Sequence, residues 1–195
     1  AFARFASDAS LVDDVARYKK WMPLDKEAEE ALADVAEQVQ ANGSTDIGAG
    51  LDVAFSALRD APPADIHHIV VLTDGNPMKG LQSPHAIDAF ITKQLDSSSV
   101  PTIVHAMAIG SCINSLIAKS IVKNSMGVFT HAVNASGITE SLDAIMAVVR
   151  ETAQPFVVDV SIQSTDLEPP PFAQLRFGML TKFNTEALTT LTLPS

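Results

Sequence analysis

The sequence is short of cysteine, of positive charge and of long apolar runs, and each shortage removes a class of function. Cys112 is the only cysteine among 195 residues. No intramolecular disulfide can form, and the paired-cysteine spacings of zinc ribbons and dithiol redox centres are excluded. A lone thiol is compatible with a reducing compartment such as the cytoplasm, although secreted chains without disulfides also exist. Lysine and arginine number 13 against 23 aspartates and glutamates, a formal net charge of −10, and the sequence pI is about 4.7. Nucleic-acid binding relies on a dense basic surface that releases counterions from phosphates, so nucleic acid is not an expected partner. The longest apolar runs, such as Ile69 to Leu72, fall far short of the ~20 residues that cross a bilayer, and no membrane insertion is expected. The chain opens on Ala1 with no basic n-region or apolar h-region, which predicts no signal peptide in this numbering. The missing initiator methionine points to processing or to an incomplete chain.

What is present reads as globular. Hydrophobic residues make up 47% and charged residues 18%, a balance able to bury a core. The length suits one domain with a modest appendage. Ala1 to Ala6 reads as a strand, Ser7-Asp8-Ala9 as a turn, and Ser10-Leu11-Val12 as a short return strand. From Lys26 to Gln40, Leu32, Val35 and Val39 recur at helical spacing, and Asn42-Gly43 closes that helix. A second helix is expected from about Ile47 to Arg59 on Leu51, Phe55 and Leu58. His67 to Thr73 is a β-branched run, apolar on both faces like a buried parallel strand, and stops at Asp74-Gly75-Asn76-Pro77. Ser83-Pro84 opens a helix carrying Ile87, Ile91 and Leu95. Thr102 to Ile109 is the next buried strand. The helix from Ile113 is expected to bury Leu116, Ile117 and Ile121. Val128 to Val133 is a further strand, and Ser136 opens a helix bearing Ile138, Leu142, Ile145 and Val149. Strands alternating with helices predict an α/β fold: a doubly wound, mostly parallel sheet with helices on both faces. Past Gln154 the pattern turns β-rich, with strands expected at Phe156 to Ile162 and Thr189 to Leu193 around the prolines at 169–171. The expected organisation is an α/β domain over residues 1–152 and a β-rich C-terminal segment over 153–195.

Two segments carry a family resemblance. Gly43-Ser44-Thr45-Asp46-Ile47-Gly48-Ala49-Gly50-Leu51 resembles the G-x-T-x-I-x-x-G-L motif of von Willebrand factor A domains. His68-Ile69-Val70-Val71-Leu72-Thr73-Asp74-Gly75 resembles that family's fourth strand, which ends in T-D-G. Ala108-Ile109-Gly110 stands where the family has G-I-G. The resemblance covers roughly residues 1–152. It implies a Rossmann-like sheet with a MIDAS-like divalent-cation site at the carboxyl ends of the strands, where open α/β sheets place ligands. Carried over by position, the metal ligands are Thr45 and Asp74, and the expected ion is Mg2+, or Mn2+ or Ca2+. A hydroxyl and a carboxylate suit such hard ions, and magnesium keeps several waters that a partner's acidic side chain can replace.

The sequence departs from the family in one respect: no D-x-S-x-S loop, nor the strand that carries it, precedes Thr45. That strand is absent from this sequence, supplied by another chain, or replaced by a later segment. For the last, Val157-Val158-Asp159-Val160-Ser161 offers an apolar strand with D-x-S, which adds Asp159 and Ser161 to the candidate ligands; an alternating tail strand explains the same pattern.

Each candidate also has a plain structural explanation. Ser44, Thr45 or Asp46 can cap the following helix, and Asp74 can belong to a turn. Asp46 and Asp8 can add negative charge beside the site. His67 and His68 point to opposite faces of a strand, so they cannot share one metal. His85, His105 and His131 have no ligand spacing, and no base accompanies Cys112. Gly48 and Gly50 lack the Lys-Ser/Thr of a phosphate loop. The expected function is a non-catalytic, adhesion-type protein-binding module whose cation engages a partner carboxylate, with homo- or hetero-oligomers both open. Two alternatives stand beside it: a metal-independent scaffold whose sheet another chain completes, and a metal-dependent hydrolase using Asp74.

Overall fold

The structure, a computed structural model, describes residues 1–12, 20–23, 25–38 and 43–152. The chain divides into two units, Ala1–Ala153 and Gln154–Ser195, and all described residues belong to the first. The tail strands and the candidates Asp159 and Ser161 lie outside the described residues.

Two short strands open the fold, β1 (Ala3–Phe5) and β2 (Ala9–Leu11), paired antiparallel with Ala3 opposite Leu11. β1 is shorter than the expected Ala1–Ala6, and β2 is as long as the expected Ser10–Val12 but begins one residue earlier. Helix α1 (Lys26–Gln38) starts where Asp25 accepts the Ala28 N–H at 3.0 Å. Its Ala31 and Val35 form a small core with Val12, against which Phe2, Met22 and Leu32 pack. Residues 39 and 40, expected in this helix, lie outside the described residues.

Helix α2 (Ile47–Leu58) leads to β3 (His67–Thr73), α3 (Pro84–Ser97), β4 (Thr102–Ile109), α4 (Ser115–Val122), β5 (Phe129–Ala132) and α5 (Ala135–Thr152). A side chain caps each helix from α2 to α4 at its first orphan N–H groups. Asp46 accepts from Ala49, Ser83 from Ala86, and Asn114 from Ile117. The Asn114 cap starts α4 two residues later than Ile113.

β3, β4 and β5 form a parallel sheet in that order. His67 to Thr73 pair with Thr102 to Ala108, and Ala106 to Ile109 with Phe129 to Ala132. β4 is central, buried along its length except at its last residue. Alternation sorts the two faces. Ile69, Val71, Val104 and Ala106 meet α2, α3 and α4 in the main core, around Leu51, Ile87, Ile91 and Ile117. His105 and Met107, both 0% exposed, lie on the opposite face, where α5 reaches His68 through Thr152. Helices on both faces of a parallel sheet are the expected class.

Two burial expectations fail. Leu116 is 68% exposed, because the Asn114 cap turns Ile117 and Ile121 inward and leaves Leu116 outward. β3 is not buried on both faces: Val70 is 36% and Leu72 44% exposed. β3 is an edge of the three-stranded sheet, and no described helix covers those two side chains as α5 covers their neighbours on β4.

Candidate functional site

The carboxyl ends of the strands gather three loops. At the end of β3 the Thr73 hydroxyl accepts the Gly75 N–H at 3.0 Å, and the Asp74 carboxylate accepts that of Asn76 at 3.1 Å. The Asn76 amide donates to the Cys112 carbonyl at 2.9 Å, tying this turn to the loop after β4. Gly75 has φ +75°, and a Cβ there would sit 3.0 Å from the Asn114 carbonyl oxygen. The turn therefore needs glycine for both conformation and space. It leaves the Asp74 side chain exposed.

Thr45 comes from the loop before α2. Its carbonyl accepts the N–H groups of Met78 and Lys79 at 2.9 and 3.2 Å, which holds the post-β3 loop against it. Its hydroxyl makes no hydrogen bond to another described residue. Asp46 does the capping, through its carboxylate and the Ala49 N–H at 2.9 Å. It is 8% exposed and packed under Gly80.

The third loop is the exit of β1. Ser7 Oγ accepts the Ser44 N–H at 2.9 Å and lies 3.2 Å from the Ser44 hydroxyl. The Lys79 ammonium donates to the Ser7 carbonyl at 3.0 Å, and Asp46 N–H to the Ala6 carbonyl at 2.8 Å. The result is one rim on which Ser7, Asp8, Thr45 and Asp74 line a common cavity of about 1180 Å³. Sequence reading named Thr45, Asp74 and Asp8 as site candidates, Ser44 only as a helix cap and Ser7 only as part of a turn.

A magnesium ion takes about six oxygens. This rim offers the carboxylates of Asp8 and Asp74 and nearby hydroxyls, and among the described residues no three His, Cys, Asp or Glu side chains cluster as a metal site. The donor chemistry fits a hard cation held by Thr45 and Asp74, with most of its coordination left to water or a partner.

The remaining candidates stand apart. Cys112 is exposed. His131 Nε2–H donates to the Gly110 carbonyl at 2.7 Å, and His85 lies exposed at the start of α3. His68 and His105 form a cluster that spacing did not reveal. Their rings stack with centroids 5.3 Å apart. Val128 N–H donates to His105 Nδ1 at 3.1 Å, so neutral His105 carries its proton on Nε2 and donates to His68 Nδ1 at 3.0 Å. His68 Nε2–H then donates to the Thr152 hydroxyl at 3.1 Å, which donates to the Val148 carbonyl at 2.9 Å. The two links that end on an Nδ1 acceptor require neutral imidazoles. Burial lowers the pKa of His105 to about 4, with its neighbour His68 contributing. Burial, and then His67, lower that of His68; burial alone lowers that of His67.

Among the described residues, no helix is long and apolar enough to cross a membrane. No protein-family model matches the sequence. No curated protein matches it either. Solved structures do. A von Willebrand factor type A protein from Catenulispora acidiphila superposes with a TM-score of 0.56 at 18% identity, over 74% of this chain and 32% of that one. The conserved hypothetical protein BatB from Bacteroides thetaiotaomicron gives 0.53 at 14% identity, over 76% and 78%. Proximal thread matrix protein 1 from the mussel byssus gives 0.51 at 17%, over 75% and 35%. The chain thus spans about a third of the first and third of these proteins and most of BatB. With its parallel sheet, helices on both faces and T-D-G turn, the chain has the von Willebrand A fold.

Proposed function

We propose that this chain is a non-catalytic protein-binding module that engages its partner at the rim built by the β1 exit, the Thr45 loop and the Asp74 turn. A divalent cation held by Thr45 and Asp74 is shared there with a carboxylate of the partner. The observation that supports the reading is that a hydroxyl with no described hydrogen-bond partner and an exposed carboxylate line one cavity at the carboxyl ends of the strands. Oxygen donors favour magnesium, with manganese and calcium as substitutes of the same hardness class.

Calorimetric titration of magnesium, manganese and calcium into chelator-treated full-length chain tests it, on wild type, Thr45→Ala, Asp74→Ala and Asp159→Ala. Binding lost in Asp74→Ala, weakened in Thr45→Ala and kept in Asp159→Ala supports the assignment. Equal binding by wild type and Asp74→Ala refutes the cation site, as does no binding at all. Turnover of phosphatase or esterase substrates that vanishes in Asp74→Ala overturns the non-catalytic reading.

A further inference from the structure

The stacked rings of His68 and His105 carry a chain of hydrogen bonds across three elements, and all four of their ring nitrogens are in use. Val128, at the entry to β5, donates to His105 Nδ1, His105 Nε2–H donates to His68 Nδ1, and His68 Nε2–H donates to Thr152, the last residue of α5. The Thr152 hydroxyl gives its own proton to the Val148 and Val149 carbonyls at 2.9 and 3.1 Å, so it meets His68 as an acceptor. Among the described residues this is the hydrogen bond that ties α5 to β3. The order of donors leaves no place for another proton. A proton on His68 Nδ1 sets one N–H against another, that of His105 Nε2; moving the His105 proton to Nδ1 only transfers the conflict to the Val128 N–H. Turning the His68 ring in place does not help, because a protonated imidazole has no acceptor.

We propose that this pair is a proton-operated latch, which fixes the last turn of α5 to the sheet at neutral pH and releases it on acidification. His68 is half-buried and takes the proton first; its ring leaves the stack and drops Thr152. His105, 0% exposed, stays neutral on the Val128 N–H. The surroundings offer a cation little. On β3, His67 is the titratable group that acts on His68, its own ring nitrogens find no hydrogen-bond partner among the described residues, and Asp65 ahead of it is exposed. On β4, His105 is acted on by His68 alone. β5 contributes the Val128 N–H, while its His131 is engaged at the Gly110 carbonyl, at the other end of the strands. α5 contributes Thr152, and its neighbours Arg150 and Glu151 are exposed. The lowered pKa values of His68 and His105 agree with this geometry, and histidine is the side chain whose charge changes in the mildly acidic range. The chain runs on from this turn into its second unit, Gln154–Ser195, so the latch makes the anchorage of that junction depend on pH. The proposal needs no cation at the rim: His68 is the second residue of β3, and Asp74 follows the last.

The test is a nuclear magnetic resonance titration of the full chain from about pH 7.5 to about pH 4.5, read on the imidazole nitrogens and on amide protection factors corrected for the intrinsic pH dependence of exchange. At the start both Nδ1 atoms carry no proton. On acidification His68 gains its second proton before His105 does, with a midpoint below 6.5. The protection of the Val149 to Thr152 amides falls with it, by up to about tenfold per pH unit for one proton taken up on opening, while α3 keeps its protection. Thr152→Val keeps the size of the side chain and removes the acceptor, so the end of α5 exchanges fast already at the starting pH and with little pH dependence; Thr152→Ser restores the wild-type profile. Three results overturn the proposal: a His68 already protonated at the start, protection lost equally in α3 and α5, or an undiminished pH dependence in Thr152→Val. The first two are read on wild type, so they decide even if the variant misfolds. Equal loss in α3 and α5 would mean that acid acts only by unfolding the whole unit.

Discussion

Acidification should weaken this fold through His105, by an amount that follows from its lowered pKa. His105 is 0% exposed, and its Nδ1 must stay unprotonated to accept the Val128 N–H. Its pKa falls from 6.5 to about 4 on folding, so between those values the unfolded chain holds a proton that the folded chain refuses. Stability is then complete above pH 6.5 and drops as pH falls toward 4, by up to about 1.4 kcal/mol per unit and about 3 kcal/mol over the window. His68 and His67 shift in the same direction and steepen the slope. A loss of about 3 kcal/mol is a large fraction of the 5–15 kcal/mol that stabilises an ordinary domain. Urea unfolding at several pH values from about 7.5 to about 4.5 measures it, with His105→Gln as the control. The variant starts less stable, because Val128 loses its imidazole acceptor, but should show a shallower slope by close to one proton. Parallel slopes for the two proteins would refute the lowered His105 pKa. A wild type that gains stability on acidification would refute the sign.

Three further outcomes follow from local geometry. Gly75→Ala must hold φ +75° with its Cβ against the Asn114 carbonyl, and should lower stability by about 1–2 kcal/mol or more in thermal unfolding. Asp46→Ala removes the α2 cap and should cost about 1 kcal/mol by urea denaturation, while Asp46→Asn keeps an acceptor for Ala49 and should retain most of that. Ile117→Ala should cost about 2–5 kcal/mol and the adjacent Leu116→Ala well under 1, because one side chain is 1% exposed and the other 68%; equal losses would contradict the placement of α4.

Local signals in the sequence were strong wherever one residue carried the physics. Ser83-Pro84 marked a helix start, and the run from Thr102 to Ile109 marked the central strand. Gly43 to Leu51 and Thr73-Asp74-Gly75 were legible enough to predict that Thr45 and Asp74 come from neighbouring loops, and both line one cavity. Features that depend on register were hidden. His68 meets His105 only because parallel pairing sets Val70 opposite His105, one diagonal step away. Ser7 and Ser44 meet across 37 residues of chain through a turn that local pattern cannot orient. Val70 and Leu72 read as buried because apolar side chains report what a surface prefers, not whether a cover is present. Leu116 and Ile117 are adjacent and equally apolar, so only the cap at Asn114 decides which of them faces inward.

The lacing at the β1 exit also sets how the molecule comes apart. Among the described residues the hairpin bonds to no strand of the parallel sheet; Phe5 resting on Gly50, the Ser7–Ser44 pair, the Ala6–Asp46 bond and the Lys79 ammonium hold it to α2 and its flanking loops. Together with α1 it also owns a separate small core around Val12, Ala31 and Val35. Cooperative units tend to follow such boundaries, and those with few shared contacts open at lower free energy than the whole. The hairpin and α1 are therefore expected to exchange their amide hydrogens before β3, β4 and β5 do, which native-state hydrogen exchange measures.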